Sequence, residues 1–152
     1  MILGVCPTRD AVVVAQTTGS GEAFAIKSLK SIPFEVRSGS DLTELLHRLV
    51  AIFDRQGPRA TIALLGSSSG RFKSSLEAIK SEAIVELAAA KSGLRIVKVT
   101  AAHLKKTLGC AAGQKWQERA AERFNPKGRH KNWSRGAAGA AAAALKVAGG
   151  TG

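Results

Sequence analysis

Met1–Gln16 reads MILGVCPTRDAVVVAQ, two short apolar runs separated by four residues of turn character. The first run stops at Pro7, and the second, Ala11–Gln16, is rich in β-branched side chains that suit a pleated strand. A hairpin is expected across Pro7–Asp10. Thr17–Glu22 (TTGSGE) is turn material, and Ala23–Pro33 alternates well enough to give a third strand. The chain therefore opens with three strands in succession.

Further along, the period changes. Leu42, Leu45, Leu46, Leu49, Ile52 and Phe53 recur at helical spacing within Asp41–Asp54, with Ser40 or Asp41 expected as N-cap. Gly57 and Pro58 end that helix. Ala60–Leu65 (ATIALL) is short and almost wholly apolar, the pattern of a buried parallel strand. After the loop Gly66–Gly70 (GSSSG), Ser74 and Glu77 predict a capping box for a long helix ending at Gly93, its inner face marked by Leu76, Ile79, Ala83, Ile84 and Leu87. Leu94–Val99 predicts a strand, Thr100 the cap of a short helix closing at Gly109, and Gln114–Phe124 a further helix. A basic loop, residues 127–135 (KGRHKNWSR), leads to an alanine-dominated helix over Gly136–Val147.

The order βββαβαβα followed by two more helices predicts helices covering a mixed five-stranded sheet, three strands antiparallel and two parallel. At 152 residues the chain fits one domain, expected over residues 1–148 with a short tail at 149–152. The apolar start is too short, and too poor in basic residues, for a signal peptide, and no run approaches the ~20 apolar residues of a membrane span. Cys6 and Cys110 have no neighbours at metal-ligand or redox spacing. A cytoplasmic protein with no cofactor, no metal and no membrane association is expected.

Net charge is +12, unevenly placed. The excess of Lys and Arg over Asp and Glu is one in residues 1–60, three in 61–104 and eight in 105–152. Lys105, Lys106, Lys115, Arg119, Arg123, Lys127, Arg129, Lys131 and Arg135 fall within 31 residues, opposed only by Glu118 and Glu122. Such a cluster suits phosphate contact, although solvated helix faces and a basic loop would also account for it. Trp133, between Asn132 and Ser134, is a candidate for stacking on an unpaired base, whereas Trp116 reads as core. His130 suits a phosphate contact better than catalysis. Arg71 and Lys73 follow GSSSG, which lacks the lysine of a Walker-type phosphate loop.

Several stretches resemble RuvC-type Holliday junction resolvases of the RNase H-like superfamily. MILGVCPT is similar to an opening strand of pattern I-L-G-I-D-P-G, with Cys6 in place of its aspartate. LRIVKVTAAHLKKTLG (94–109) and GQKWQERAAERF (113–124) resemble that family's following strand and helices. GAAGAAAAA (136–144) resembles its final D-A-A-D-A-L-A-x-A helix with Gly136 and Gly139 in place of both acids. The resemblance implies an RNase H-like fold, homodimers, and a fourth acid at the end of the central strand, where Gly66 or Ser67 stands. Nucleases of this kind use two Mg²⁺ ions ~4 Å apart, held by carboxylates. Glycine offers no ligand and a thiolate prefers softer metals. The expectation is a catalytically inactive domain that binds nucleic acid, DNA more than RNA and structured or branched in form, through its basic C-terminal third. The alternatives are a protein-interaction or assembly module on a degenerate nuclease fold, and a nuclease whose carboxylates are relocated, with Asp10 the nearest acid to the first strand.

Overall fold

In the computed structural model, which describes residues 1–35, 37–66, 75–131 and 133–149, the opening hairpin forms as its residues dictate. Strand β1 (Ile2–Pro7) pairs antiparallel with β2 (Ala11–Thr18), setting Val5 opposite Val14 and Cys6 opposite Val13. The turn is closed by Thr8, whose amide donates to the Ala11 carbonyl at 2.8 Å and whose hydroxyl donates to it at 2.7 Å. β3 (Ala25–Pro33) adds antiparallel to β2. It begins two residues later than expected because Gly21–Ala23 winds into a 3₁₀ turn. β4 (Thr61–Leu65) lies parallel to β1, and β5 (Arg95–Val99) parallel to β4. The sheet order is β3-β2-β1-β4-β5, the mixed five-stranded sheet expected.

Strand alternation assigns the two faces. Leu3, Val5, Val12, Val14, Ile62 and Leu64 point into one core with α1 (Gly39–Asp54) and α2 (Leu76–Lys91). Cys6, Val13, Ala15 and Ala63 point to the other face, covered by α5 (Arg135–Ala148), with α3 (Ala101–Leu108) and α4 (Trp116–Phe124) packed around it. The central helix is α5: every residue from Gly136 to Leu145 is buried. Its alanines allow this, because a helix bearing only Cβ atoms can lie almost on the strands. At Gly4 the approach is so close that a Cβ would stand 1.8 Å from the Ala140 carbonyl oxygen, so only glycine fits there.

Three local expectations change. The N-cap of α1 is Ser38, not Ser40 or Asp41: its Oγ accepts from the Asp41 amide at 3.4 Å, while the Asp41 carboxylate accepts from the Arg37 amide at 2.9 Å. Ser74 lies outside the described residues, and α2 is capped by Ser75, whose Oγ accepts from the Ala78 amide at 3.1 Å. The inner face of α2 is also rotated from the expected one. Ala78, Ser81, Val85, Ala88 and Ala89 are buried, Ile84 is partly packed, and Leu76, Ile79 and Leu87 are 64%, 46% and 47% exposed. Apolar residues occur all round this helix, so periodicity alone does not fix its phase, and small side chains win the seam where α2 packs against α1 and the sheet.

Candidate nucleic-acid interface beside a closed strand-end site

Parallel strands β1 and β4 end side by side, and α5 crosses over both ends. Cys6 comes from β1, Leu65 from β4 and Gly139 from α5. A Cβ on Gly139 would stand 2.7 Å from Cys6 Sγ and 2.8 Å from Leu65 Cδ2, closer than side-chain atoms approach one another. Gly139 therefore sits directly against both side chains, with no space for a Cβ of its own. Ala137 and Ala140 complete the cluster, and Leu29 of β3, Leu65 and Trp133 pack over it.

The β4 residue beside Gly139 and Cys6 is Leu65, whereas Gly66, one of the two positions where the resemblance implies the fourth acid, faces the other way. Successive strand residues face opposite sides, so Gly66 turns toward α2, where its Cβ position lies 3.4 Å from Glu82 Oε1. Ser67 lies outside the described residues. Gly136, one helical turn before Gly139, faces the hairpin, with Val13 Cγ2 at 2.5 Å and Thr8 Cγ2 at 3.0 Å from its Cβ position.

This cluster is buried and apolar. Burial pushes the Cys6 thiol from 9.0 up to about 12, because removal from water disfavours the thiolate. Among the described residues its Sγ makes one weak polar contact, to the Pro7 carbonyl at 3.7 Å. The residues do not fit a Mg²⁺ pair: a buried thiol, a leucine side chain and a glycine supply no oxygen ligand. Among the described residues, no group of three or more His, Cys, Asp or Glu side chains is placed to hold a metal ion.

Asp10 is not brought to this site. It is exposed in the hairpin turn, where Thr8 Oγ1 lies 3.5 Å from its carboxylate. It borders an open hollow of about 730 Å³ on the α1 side, shared with Pro33, Phe34, Glu35, Asp41 and Glu44. Glu82, on α2, forms an ion pair with Lys98 at 3.6 Å, and Lys98 also pairs with Glu86.

The basic residues divide into two groups. Arg119 and Arg123 are tied into the fold. Arg119 Nε donates to the Leu108 carbonyl at the end of α3 at 3.1 Å, and its Nη1 lies 3.4 Å from Glu122. Arg123 donates to the Gly21 carbonyl at 3.3 Å and lies over the Phe124 ring at 5.8 Å. Lys105, Lys106, Lys115, Lys127, Arg129, Lys131 and Arg135 are exposed, with no ion pair among the described residues. Arg71 and Lys73 lie outside the described residues.

Trp116 is partly buried against the α3–α4–α5 core, as expected, but Trp133 is also half-buried, over the Cys6 cluster, with the His130 ring 6.3 Å from its own. The Trp133 ring, a candidate for base stacking, is thus partly committed to packing. Arg9, exposed in the turn that touches Gly136, and Asn125, in the loop after α4, were not singled out from the sequence. Arg9 is far from α5 along the chain.

No family model matches the chain, and no curated protein sequence matches it. Solved structures do. Thermus thermophilus RuvC in complex with a Holliday junction substrate superposes with a TM-score of 0.69 over 95% of this chain and 89% of that one, at 11% identity. The fold is RuvC-like. A second Thermus thermophilus RuvC structure gives the same TM-score over 95% of this chain and 90% of that one, at 14% identity. The RuvC-like, RNase H-like architecture expected from a few short sequence stretches is thus present along nearly the whole chain.

Proposed function

We propose that this chain is a RuvC-like domain that binds nucleic acid through its basic C-terminal third and does not cleave it. The contact of Cys6, Leu65 and Gly139 carries this reading. Where the resemblance implies carboxylates, the chain has a desolvated thiol at Cys6 and two glycines, Gly136 and Gly139, whose Cβ positions are already filled by neighbouring side chains, Leu65 among them. The positive charge lies close by: Trp133 covers that cluster, Arg135 opens α5, and Lys127, Arg129 and Lys131 precede them. Structured or branched DNA is the proposed ligand, in keeping with the Holliday junction bound by the structurally similar RuvC. Binding is electrostatic, so affinity falls steeply with salt and depends little on base sequence.

The test is binding to a four-way junction, a duplex and a single strand across a salt series, with cleavage assayed in Mg²⁺ and in Mn²⁺. Tightest binding to the junction without cleavage is expected. Cleavage that disappears in Asp10→Asn would establish a relocated site instead, and failure to bind any of the three at low salt would remove the nucleic-acid reading.

An assembly role is favoured by one observation. Leu76, Ile79 and Leu87 share an exposed face of α2, and none of the described elements covers them. Homodimerisation through this face is the second part of the proposal. Light scattering should then give twice the chain mass for the wild type and the single-chain mass for Leu87→Glu. A wild-type monomer would remove it.

A further inference from the structure

Residues 125–131 (NPKGRHK) join α4 to the turn before α5, and one side chain, that of Asn125, bridges the two ends of this segment. Asn125 Oδ1 accepts from the His130 amide at 2.9 Å, and its Nδ2 donates to the His130 carbonyl at 3.3 Å. Its own carbonyl accepts from the Gly128 amide at 3.2 Å, and the Trp133 amide donates to the His130 carbonyl at 3.1 Å. Both backbone groups of His130 are thus used, and the loop is closed on itself. Gly128 sits at φ 63°, the left-handed conformation that costs other residues ~1–2 kcal/mol. The closed loop carries Lys127, Arg129 and Lys131, all exposed, and no acid.

We infer that Asn125 is the positioning residue of a phosphate-docking loop, holding Lys127, Arg129 and Lys131 in place for a nucleic-acid backbone. The inference rests on the proposed nucleic-acid binding and adds to it which segment makes the contact and why. A basic tail without internal bonds would have to be ordered on binding, at a cost in affinity. Here two hydrogen bonds from one amide side chain, two backbone bonds and one glycine have already removed that disorder. The shape is specified without using any of the three cations, which remain free for the ligand.

Positioning and charge make separable predictions. Each phosphate contact adds about 0.9 to the slope of log affinity against log salt, which is about 3.5-fold in affinity between 50 and 200 mM. Three contacts amount to about 40-fold over that range. Fluorescence anisotropy with a labelled four-way junction should find that Lys127→Ala/Arg129→Ala/Lys131→Ala binds more weakly and loses most of that salt sensitivity. Asn125→Ala keeps every charge. It should bind about 5–10-fold more weakly at a fixed 100 mM salt, with its melting temperature close to wild type and faster hydrogen exchange at the His130 amide. Gly128→Val, which strains the same loop at another position, should reproduce that loss. If the triple variant is impaired while Asn125→Ala and Gly128→Val bind as wild type, the positioning role is wrong and the binding reading stands. If the wild type binds no nucleic acid, the reading beneath it fails. Should Asn125→Ala not fold, Gly128→Val alone decides between these results.

Discussion

Gly139→Asp tests whether the strand-end cluster is as closed and dry as its contacts indicate. A Cβ at this position would stand 2.7 Å from Cys6 Sγ and 2.8 Å from Leu65 Cδ2, so each must retreat by roughly 1 Å to reach an ordinary 3.5–4.0 Å contact. Both are side-chain ends, able to move. Gly139→Ala should therefore cost about 1–3 kcal/mol in overpacking, offset by about 1 kcal/mol from removing a helix glycine. Aspartate adds a buried carboxylate beside a thiol and a methyl group. With its pKa raised by about three units from ~3.9, keeping it neutral in the folded state costs about 4 kcal/mol at pH 7. The sign is fixed by linkage: a carboxyl with a raised folded-state pKa is no burden below pH ~4, where both states are protonated, and becomes one as pH rises toward 7. Urea denaturation should place Gly139→Asp about 4 kcal/mol below Gly139→Ala at pH 7, a midpoint difference of roughly 2 M for a slope near 2 kcal/mol/M. The gap should largely close near pH 4. A gap under about 1 kcal/mol at pH 7, or one indifferent to pH, would show that water reaches the site and that the closed-cluster reasoning is wrong. Mg²⁺-dependent cleavage by this variant would refute the inactive reading as well.

Gly4→Ala confronts a backbone oxygen that cannot rotate away, with the Cβ only 1.8 Å from the Ala140 carbonyl oxygen. It should cost about 3 kcal/mol, lowering the melting temperature by about 6–12 °C in a calorimetric scan. For Cys6, with its thiol raised from 9.0 to about 12, ionisation of the unfolded chain should remove about 1.4 kcal/mol of stability per pH unit between pH 9 and 12. Denaturation at pH 8 and pH 10 should show that loss in the wild type beyond whatever Cys6→Ala shows, and equal pH dependence would contradict it. Native protein at pH 8 should also leave Cys6 unalkylated by iodoacetamide while the urea-unfolded chain reacts, as followed by peptide mass. Arg119→Ala removes the link between α4 and the Leu108 carbonyl. It should lower stability by about 1–2 kcal/mol while changing the salt slope of DNA binding less than Lys127→Ala does.

Strand order, sheet type and the layer of helices were legible because the apolar runs changed period where the elements change. ATIALL could be little other than a buried strand, and an alanine run after a basic loop could be little other than a tightly packed helix. The phase of α2 was not legible. Leu76, Ile79 and Leu87 are as apolar as Val85, and which of them faces inward is decided by how near α1 and the sheet come. In the candidate site, Cys6 and Gly139 lie beside each other, and the β4 side chain that joins them is Leu65, next to Gly66. Alternation along Ile62–Leu65 held the answer: once Ala63 is assigned to the α5 face, Leu65 follows. The division of the arginines was out of reach. Arg119 and Arg123 look like their neighbours in sequence and differ only in having carbonyls within reach. Asn125 was hidden for the same reason, since its partner is the backbone of His130.

The ten-residue burial of α5 also bears on how this domain could change over evolutionary time. Most surfaces drift one substitution at a time, each step tolerated by itself. At the junction of Cys6, Leu65 and Gly139, a carboxylate introduced singly meets two packed neighbours that offer no cation and only a weak thiol donor. The intermediate is less fit for folding before it gains any ligand for a metal. A route to a metal centre would need several exchanges together with a lifted helix, and the Gly4–Ala140 approach resists the lifting. Close packing of alanine on glycine acts as a ratchet that keeps the strand-end junction closed.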